Sequence, residues 1–151
     1  MATTASNRLT IRRMRPDDTE PVLDIWLNAS LQAHDFIDEA FWHQQRDAMR
    51  ASYLPMADVW VGTYQEVILG FYALHGNTLA AIFVDPAHQG AGVGSQLLDH
   101  AKLQKPTIDL TVYQKNTASY AFYLRHGFVV DREQTDPHTG EREWRMVYSG
   151  S

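Results

Sequence analysis

The residue pattern predicts an α/β (α+β) domain: a mixed, mostly antiparallel central sheet of about seven strands flanked by about four helices, in the order β-α-α-β-β-β-α-β-α-β-β. Three observations carry this reading. Apolar residues recur at helical spacing through residues 19 to 53. Three short runs rich in Val, Ile, Trp, Phe and Tyr follow between 58 and 84, parted by two-residue turns. A glycine-dense turn then joins a strand end to an amphipathic helix.

Leu9 to Met14 alternates imperfectly and is read as the first strand. Arg15-Pro16-Asp17-Asp18 supplies a turn and a helix cap, and Val22, Ile25, Trp26 and Ala29 mark one face of a helix from Thr19 to Gln32. His34-Asp35-Phe36-Ile37 interrupts it. A second helix runs from Asp38 to Tyr53, with Phe41, Trp42 and Ala48 inward and Pro55 closing it. The runs Asp58–Tyr64, Val67–Leu74 and Leu79–Val84, separated by Gln65-Glu66 and Gly76-Asn77, read as an antiparallel meander. After Asp85-Pro86 and the glycine turn, Val93, Leu97, Leu98 and Ala101 line one face of a helix from 93 to 104. Thr107–Val112 is a strand and Asn116–Arg125 a helix, with Gly127 at the C-terminal cap. Phe128–Asp131 and Trp144–Tyr148 form a last hairpin around Asp136 to Gly140.

At 151 residues the chain is one domain long: a disordered tail over 1–7 and a single domain over 8–151. It has no cysteine, which removes disulfides, thiolate zinc sites and cysteine nucleophiles, and no metal is expected. A reducing, cytoplasmic location fits that absence. No run approaches the roughly 20 apolar residues of a membrane span, and Met1 to Asn7 lacks the apolar core of a signal peptide. A net charge of −5 argues against nucleic acid, since Arg12-Arg13-Met14-Arg15 is the nearest thing to a basic run. The same charge weakly favours cationic partners such as amines.

Gly90, Gly92 and Gly94 lie between a strand end and a helix start. Such a turn lets backbone N–H groups converge, and the helix adds its free donors and positive dipole end, a natural seat for a pyrophosphate. The nucleoside-triphosphate loop needs a lysine that does not follow here. The dinucleotide fingerprint fails because Ser95 stands at its third glycine and the upstream meander is the wrong context.

What fits is Gln/Arg-x-x-Gly-x-Gly/Ala, read as Gln89-Gly90-Ala91-Gly92-Val93-Gly94 directly after Ile82-Phe83-Val84-Asp85-Pro86, with Asn116 and Tyr123-Leu124-Arg125-His126-Gly127-Phe128 downstream. In these motifs, over about Trp60 to Tyr148, the chain resembles the GCN5-related N-acetyltransferase (GNAT) family, of the small bacterial type. His34-Asp35-Phe36 is similar to small bacterial members of unassigned substrate. The resemblance implies the GNAT fold and acetyl transfer from acetyl-coenzyme A to a primary amine of a small molecule, peptide or protein by direct attack. It places the cosubstrate pyrophosphate on Gln89 to Ser95 and the pantetheine arm along Ile82, Phe83 and Val84, where the strand ending at Val84 splays from Thr107–Val112.

By the same resemblance Tyr123 is the general acid; the alternative is a core tyrosine on an amphipathic helix, with Tyr120 and Phe122 nearby. Asn116 carries over as a pantetheine contact, and as a helix N-cap it also suits its position. Many relatives place a carboxylate base on the fourth or fifth strand, where this chain has Ala80, Ala81 and Thr111. His34, Asp35, His75 and a water chain are the candidate bases, and which way Asp109 faces stays open. Trp26, Phe36, Trp42, Tyr113 and Trp144 are candidate acceptor walls, with Asp35 or Asp38 to hold a second ammonium. A silent acyl-coenzyme A sensor and a transferase of longer acyl groups are the competing functions. A monomer or homodimer is the expected assembly.

Overall fold

The computed structural model describes residues 8–150, so the predicted tail over 1–7 lies outside the described residues. Seven strands form one sheet: β1 (Thr10–Arg13), β2 (Asp58–Tyr64), β3 (Val67–His75), β4 (Thr78–Val84), β5 (Thr107–Tyr113), β6 (Val129–Thr135) and β7 (Arg142–Ser149). Their spatial order is β1-β2-β3-β4-β5-β7-β6. Every neighbouring pair is antiparallel except β4 and β5, which run parallel.

Helices cover both faces. On one side α1 (Thr19–Ala33) and α2 (Glu39–Ala48) bury Val22, Leu23, Ile25, Trp26 and Trp42 against Val59, Val61, Phe71 and Ala73. On the other, α3 (Val93–Gln104) buries Val93, Leu97, Leu98 and Ala101 against Tyr72, Leu74, Ile108, Leu110 and Met146. Phe71 and Ala73 face one layer while Tyr72 and Leu74 face the other, the period-two alternation of a strand buried on both sides. Each fully buried Leu contributes about 1.5–3 kcal/mol of transfer free energy. The last helix, α4 (Thr117–Arg125), lies on the α3 side, sends Tyr123 into that core and ends at Gly127, whose φ of +89° suits glycine.

Two boundaries differ from the sequence expectation. Pro55 does not close the second helix; after α2 the chain widens into a π turn over Met49–Tyr53 and finishes with a turn at Leu54–Met56. The Leu54 N–H reaches back to the Met49 carbonyl, and the wide turn accommodates a proline that has no N–H to give. The final hairpin is also longer than its apolar run. Arg142 pairs with Glu133 at 3.2 Å and Arg145 with Asp131 at 2.8 Å. Cross-strand charge pairs thus extend a strand that hydrophobic alternation alone cuts short.

The feature that positions the site is a failure of pairing. β4 and β5 meet only at Thr78↔Asp109, where the Thr78 hydroxyl donates to Asp109 at 2.7 Å. Beyond that point the two strands diverge, and the gap between them opens toward Val84 and Tyr113.

Candidate active site

The open end of this gap meets the glycine turn. Asp85 caps the short helical turn Pro86–His88 by accepting the Ala87 N–H at 3.1 Å. Gly92 then serves as N-cap of α3 with φ +83°, and Gly90 has φ +86°. A Cβ built on either glycine meets nothing within 4 Å, so both present bare backbone to open space. The first intrahelical bond runs from Gln96 N–H to the Gly92 carbonyl, which leaves the first-turn N–H groups free to bind an anion.

A cleft of about 690 Å³ runs from this turn into the gap. Ile82, Phe83, Val84, Gln89, Gly90, Gly92, Val93, Gly94, Ser95, Asn116 and Tyr123 line it, faced by Ala29, Gln32 and Ala33 of α1. Of the residues expected to hold the cosubstrate, Ala91 alone is off the wall, exposed on the turn. The Val84 carbonyl accepts a bond from the Gln89 side chain at 3.3 Å. The bare glycine backbone, the free donors and a wall of mixed polar and apolar residues fit a pyrophosphate with an extended arm.

Asn116 is the helix cap, and its side chain also borders the cleft. Its Oδ1 accepts the Ser119 N–H at 3.2 Å as the N-cap of α4. Because that oxygen faces a backbone donor, the amide nitrogen is the group that meets His34 Nε2, at 3.1 Å. Nε2 therefore accepts, and the ring proton sits on Nδ1, which is buried with no partner. Burial lowers the His34 pKa to about 4. Its lone pair is thus already engaged, and His34 is off the cleft wall, an arrangement that suits positioning Asn116 better than abstracting a proton.

The His34 shift has a measurable consequence. In the unfolded chain His34 takes up a proton below 6.5, whereas the fold resists it down to about 4. Stability attributable to this ring is complete above pH 6.5 and falls by roughly 1.4 kcal/mol per pH unit through that window. Thermal melts from pH 7 to 4.5 should fall more steeply for the native protein than for His34→Gln; equal slopes would show that the buried ring does not resist protonation.

The other candidate bases separate by position. His75 pairs with Thr78 and Asp109 lies opposite the same residue, so both sit at the closed end of the gap, about 20 Å of strand away from Val84. Asp35 is exposed in the α1–α2 connection. It shares a pocket of about 260 Å³ with Phe36, Asp38 and Glu39.

Of the expected acceptor walls, Phe36 and Tyr113 come together, their ring centres 5.6 Å apart and each edge-on to His34. Trp42 joins them from the core side: it is 8% exposed and stacks on His34 with ring centres 5.2 Å apart, while Trp26, 5% exposed, packs edge-to-face on Trp42 under α1 and α2. Trp144 faces the opposite layer and packs on Tyr120. Helical and strand spacing marks these tryptophans as apolar without saying whether a cleft or a core receives them.

The sequence reading missed the polar side of this aromatic group. The Tyr113 hydroxyl donates to Asp136 at 2.5 Å, and Glu143 lies directly across from Tyr113 on β7. Glu143 is buried, and desolvation raises its pKa. Lys115 places its ammonium 5.5 Å from the Phe36 ring centre and 3.1 Å from Glu141. The available signal was the period-two alternation of Glu143 with Trp144 on a strand beside Tyr113. Among the described residues no group of three or more potential ligands could hold a metal ion, and no helix is long and apolar enough to cross a membrane.

Comparison with known proteins joins this geometry to a family. The family model described as an Acetyltransferase (GNAT) domain matches residues 55–130. The chain is 33% identical over 130 residues to the peptidyl-lysine N-acetyltransferase YjaB of Salmonella typhimurium, covering 85% of this chain and 89% of that protein. It is 32% identical over 142 residues to the peptidyl-lysine N-acetyltransferase YiaC of Escherichia coli, covering 91% and 97%. The solution structure of apo YjaB from Escherichia coli superposes with a TM-score of 0.83 at 29% identity, over 95% of this chain and 99% of that one. A Salmonella typhimurium acetyltransferase structure holding acetyl-coenzyme A shares the fold, with a TM-score of 0.68 at 21% identity over 95% and 94%. The chain belongs to the GNAT acetyltransferase family of acyl-coenzyme A-dependent N-acetyltransferases.

Proposed function

We propose that this protein transfers the acetyl group of acetyl-coenzyme A to the ε-amine of a lysine in a peptide or protein. The observation that carries the reading is the cleft in the β4–β5 gap, with bare glycine backbone at one end and Asn116 and Tyr123 on its wall. Acetyl-coenzyme A supplies the thioester. The free N–H groups at the start of α3 bind its pyrophosphate, and the unpaired edge of Ile82 to Val84 takes its pantetheine arm as an added strand. The Val84 N–H points the carbonyl and stabilises its developing charge. The amine attacks directly, its own proton leaving through solvent, and Tyr123 gives a proton or a hydrogen bond to the departing thiolate. His34 acts through Asn116, fixing the amide that borders the cleft.

Lysine is favoured over other amines on two grounds. The names of YjaB and YiaC specify peptidyl lysine. The acceptor side of this chain joins an aromatic face, Phe36 and Tyr113, to the carboxylates Asp35, Asp38 and Glu39, a surface suited to a cation on an apolar stem.

Thiol release measured with acetyl-coenzyme A and a panel of acceptors tests this. Lysine peptides should give turnover at least about tenfold above small polyamines or peptides offering only an α-amine, a difference of about 1.4 kcal/mol in transition-state binding. Binding of acetyl-coenzyme A with no turnover on any amine would make the protein a sensor. Faster release from succinyl- than acetyl-coenzyme A would reassign the donor.

A further inference from the structure

We infer that Lys115 is a self-acetylation site, an amine held by the chain itself at the acceptor side of the cleft; this rests on the acetyl-transfer reading above. Lys115 follows β5 and precedes the Asn116 cap, so the backbone sets it past the end of β5 away from the single β4–β5 pairing. Its side chain is 61% exposed, and it lines the same cleft as Val84 and Tyr123. Its ammonium lies over the Phe36 ring and against the Glu141 carboxylate. An aromatic face and a carboxylate are the contacts that an incoming lysine would use. Lys115 thus occupies, from within the chain, a seat built for a substrate's ammonium.

The contrast with the rest of the sequence sharpens this. The chain has only two other lysines, Lys102 and Lys105. Lys102 donates to the His126 carbonyl at 2.6 Å and sits over the Tyr148 ring. Lys105 stands at the far end of α3 from the glycine turn. Neither lines the cleft. A tethered amine beside a bound thioester reacts as if very concentrated, so Lys115 competes well with dilute acceptors.

The step balances without another reactant. The Lys115 ammonium loses one proton to water. The neutral nitrogen forms a C–N bond to the acetyl carbonyl carbon, and the C–S bond breaks. The thiolate leaves and is protonated as the nitrogen sheds a second proton. The products are acetyl-Lys115, free coenzyme A thiol and one proton in solution. The acetylated side chain has no charge, so it releases both Phe36 and Glu141 to a substrate lysine.

The test uses the whole protein with acetyl-coenzyme A alone, read by intact mass and by fragment spectra at the three lysines. Label on Lys115 should exceed that on Lys105 by at least about tenfold, at a rate independent of protein concentration, as a tethered reaction requires. Tyr123→Phe should slow it, and Lys115→Arg should remove it while keeping the positive charge. Equal labelling of Lys105 and Lys115, or an unlabelled Lys115 in a preparation that acetylates a lysine peptide, overturns the inference alone. A preparation that neither binds acetyl-coenzyme A nor turns over any amine overturns both it and the acetyl-transfer reading.

Discussion

Tyr123→Phe should lower turnover by about 10² to 10³, the lower half of the range typical of general-acid help, while acetyl-coenzyme A affinity shifts far less. Tyr123 lines the cleft and its ring packs against Phe122 and Phe128, at centre distances of 5.5 and 5.7 Å. Phenylalanine keeps that packing and removes only the hydroxyl. Burial raises the phenol's pKa, so it stays protonated throughout the working pH range. The same shift makes it a reluctant acid toward a thiolate, whose reference pKa is about 8.5. On the proposed mechanism its contribution is weighted toward hydrogen bonding to the developing charge, which sets the expected loss below the top of the range. A purely structural tyrosine predicts a different pattern: a stability loss of about 1 kcal/mol and normal turnover. Steady-state rates and a melting curve on one preparation separate the two, and a folded variant within about threefold of the native rate removes Tyr123 from the mechanism.

The second large effect is expected at Gly92. A Cβ there meets no protein atom within 4 Å, so the free protein has open space beside Gly92 for a substituted side chain. The new isopropyl group would instead stand beside the first-turn N–H groups, where the proposed pyrophosphate site lies. Its φ of +83° is unfavourable for a β-branched residue, at about 1–3 kcal/mol. That is within the 5–15 kcal/mol typical of a domain's stability, so the variant should remain folded. Calorimetric titration should find acetyl-coenzyme A binding abolished in a protein with a cooperative, slightly lowered melt. Unchanged affinity would place the pyrophosphate elsewhere.

Much of this was legible in the residues because the relevant signals are local. The meander from Asp58 to Val84 shows itself by β-branched runs and two-residue turns. The glycine turn shows itself by spacing, and Asn116 by its fitness as a cap. What was not legible depends on which face of an element is covered. Trp26, Trp42 and Trp144 carry the same apolar signature as Phe36 and Tyr113, yet Phe36 and Tyr113 meet His34 edge-on, Trp42 stacks on it from the core, and Trp26 and Trp144 pack on Trp42 and Tyr120 instead. The Lys115 seat draws on Phe36, Lys115 and Glu141, three segments far apart in the chain, and no local pattern announces such a meeting. Glu143 was passed over because a buried carboxylate on a strand is rare, and alternation alone gives no reason for one.

The single β4–β5 pairing at Thr78↔Asp109 also divides the sheet's hydrogen-bond ladder. It falls into two leaves, β1 to β4 and β5-β7-β6, pinned at one end and otherwise joined by the core under α3. Past the pin, β4 has a partner on its β3 side only. A strand at the centre of a sheet ordinarily has the slowest amide-proton exchange in a domain, since opening it requires global unfolding. Here the gap-side amides of β4 are exposed to water inside the cleft and should exchange like those of a boundary strand. They nevertheless avoid the usual hazard of an unpaired strand, recruitment into another molecule's sheet, because α1 and α4 wall the gap.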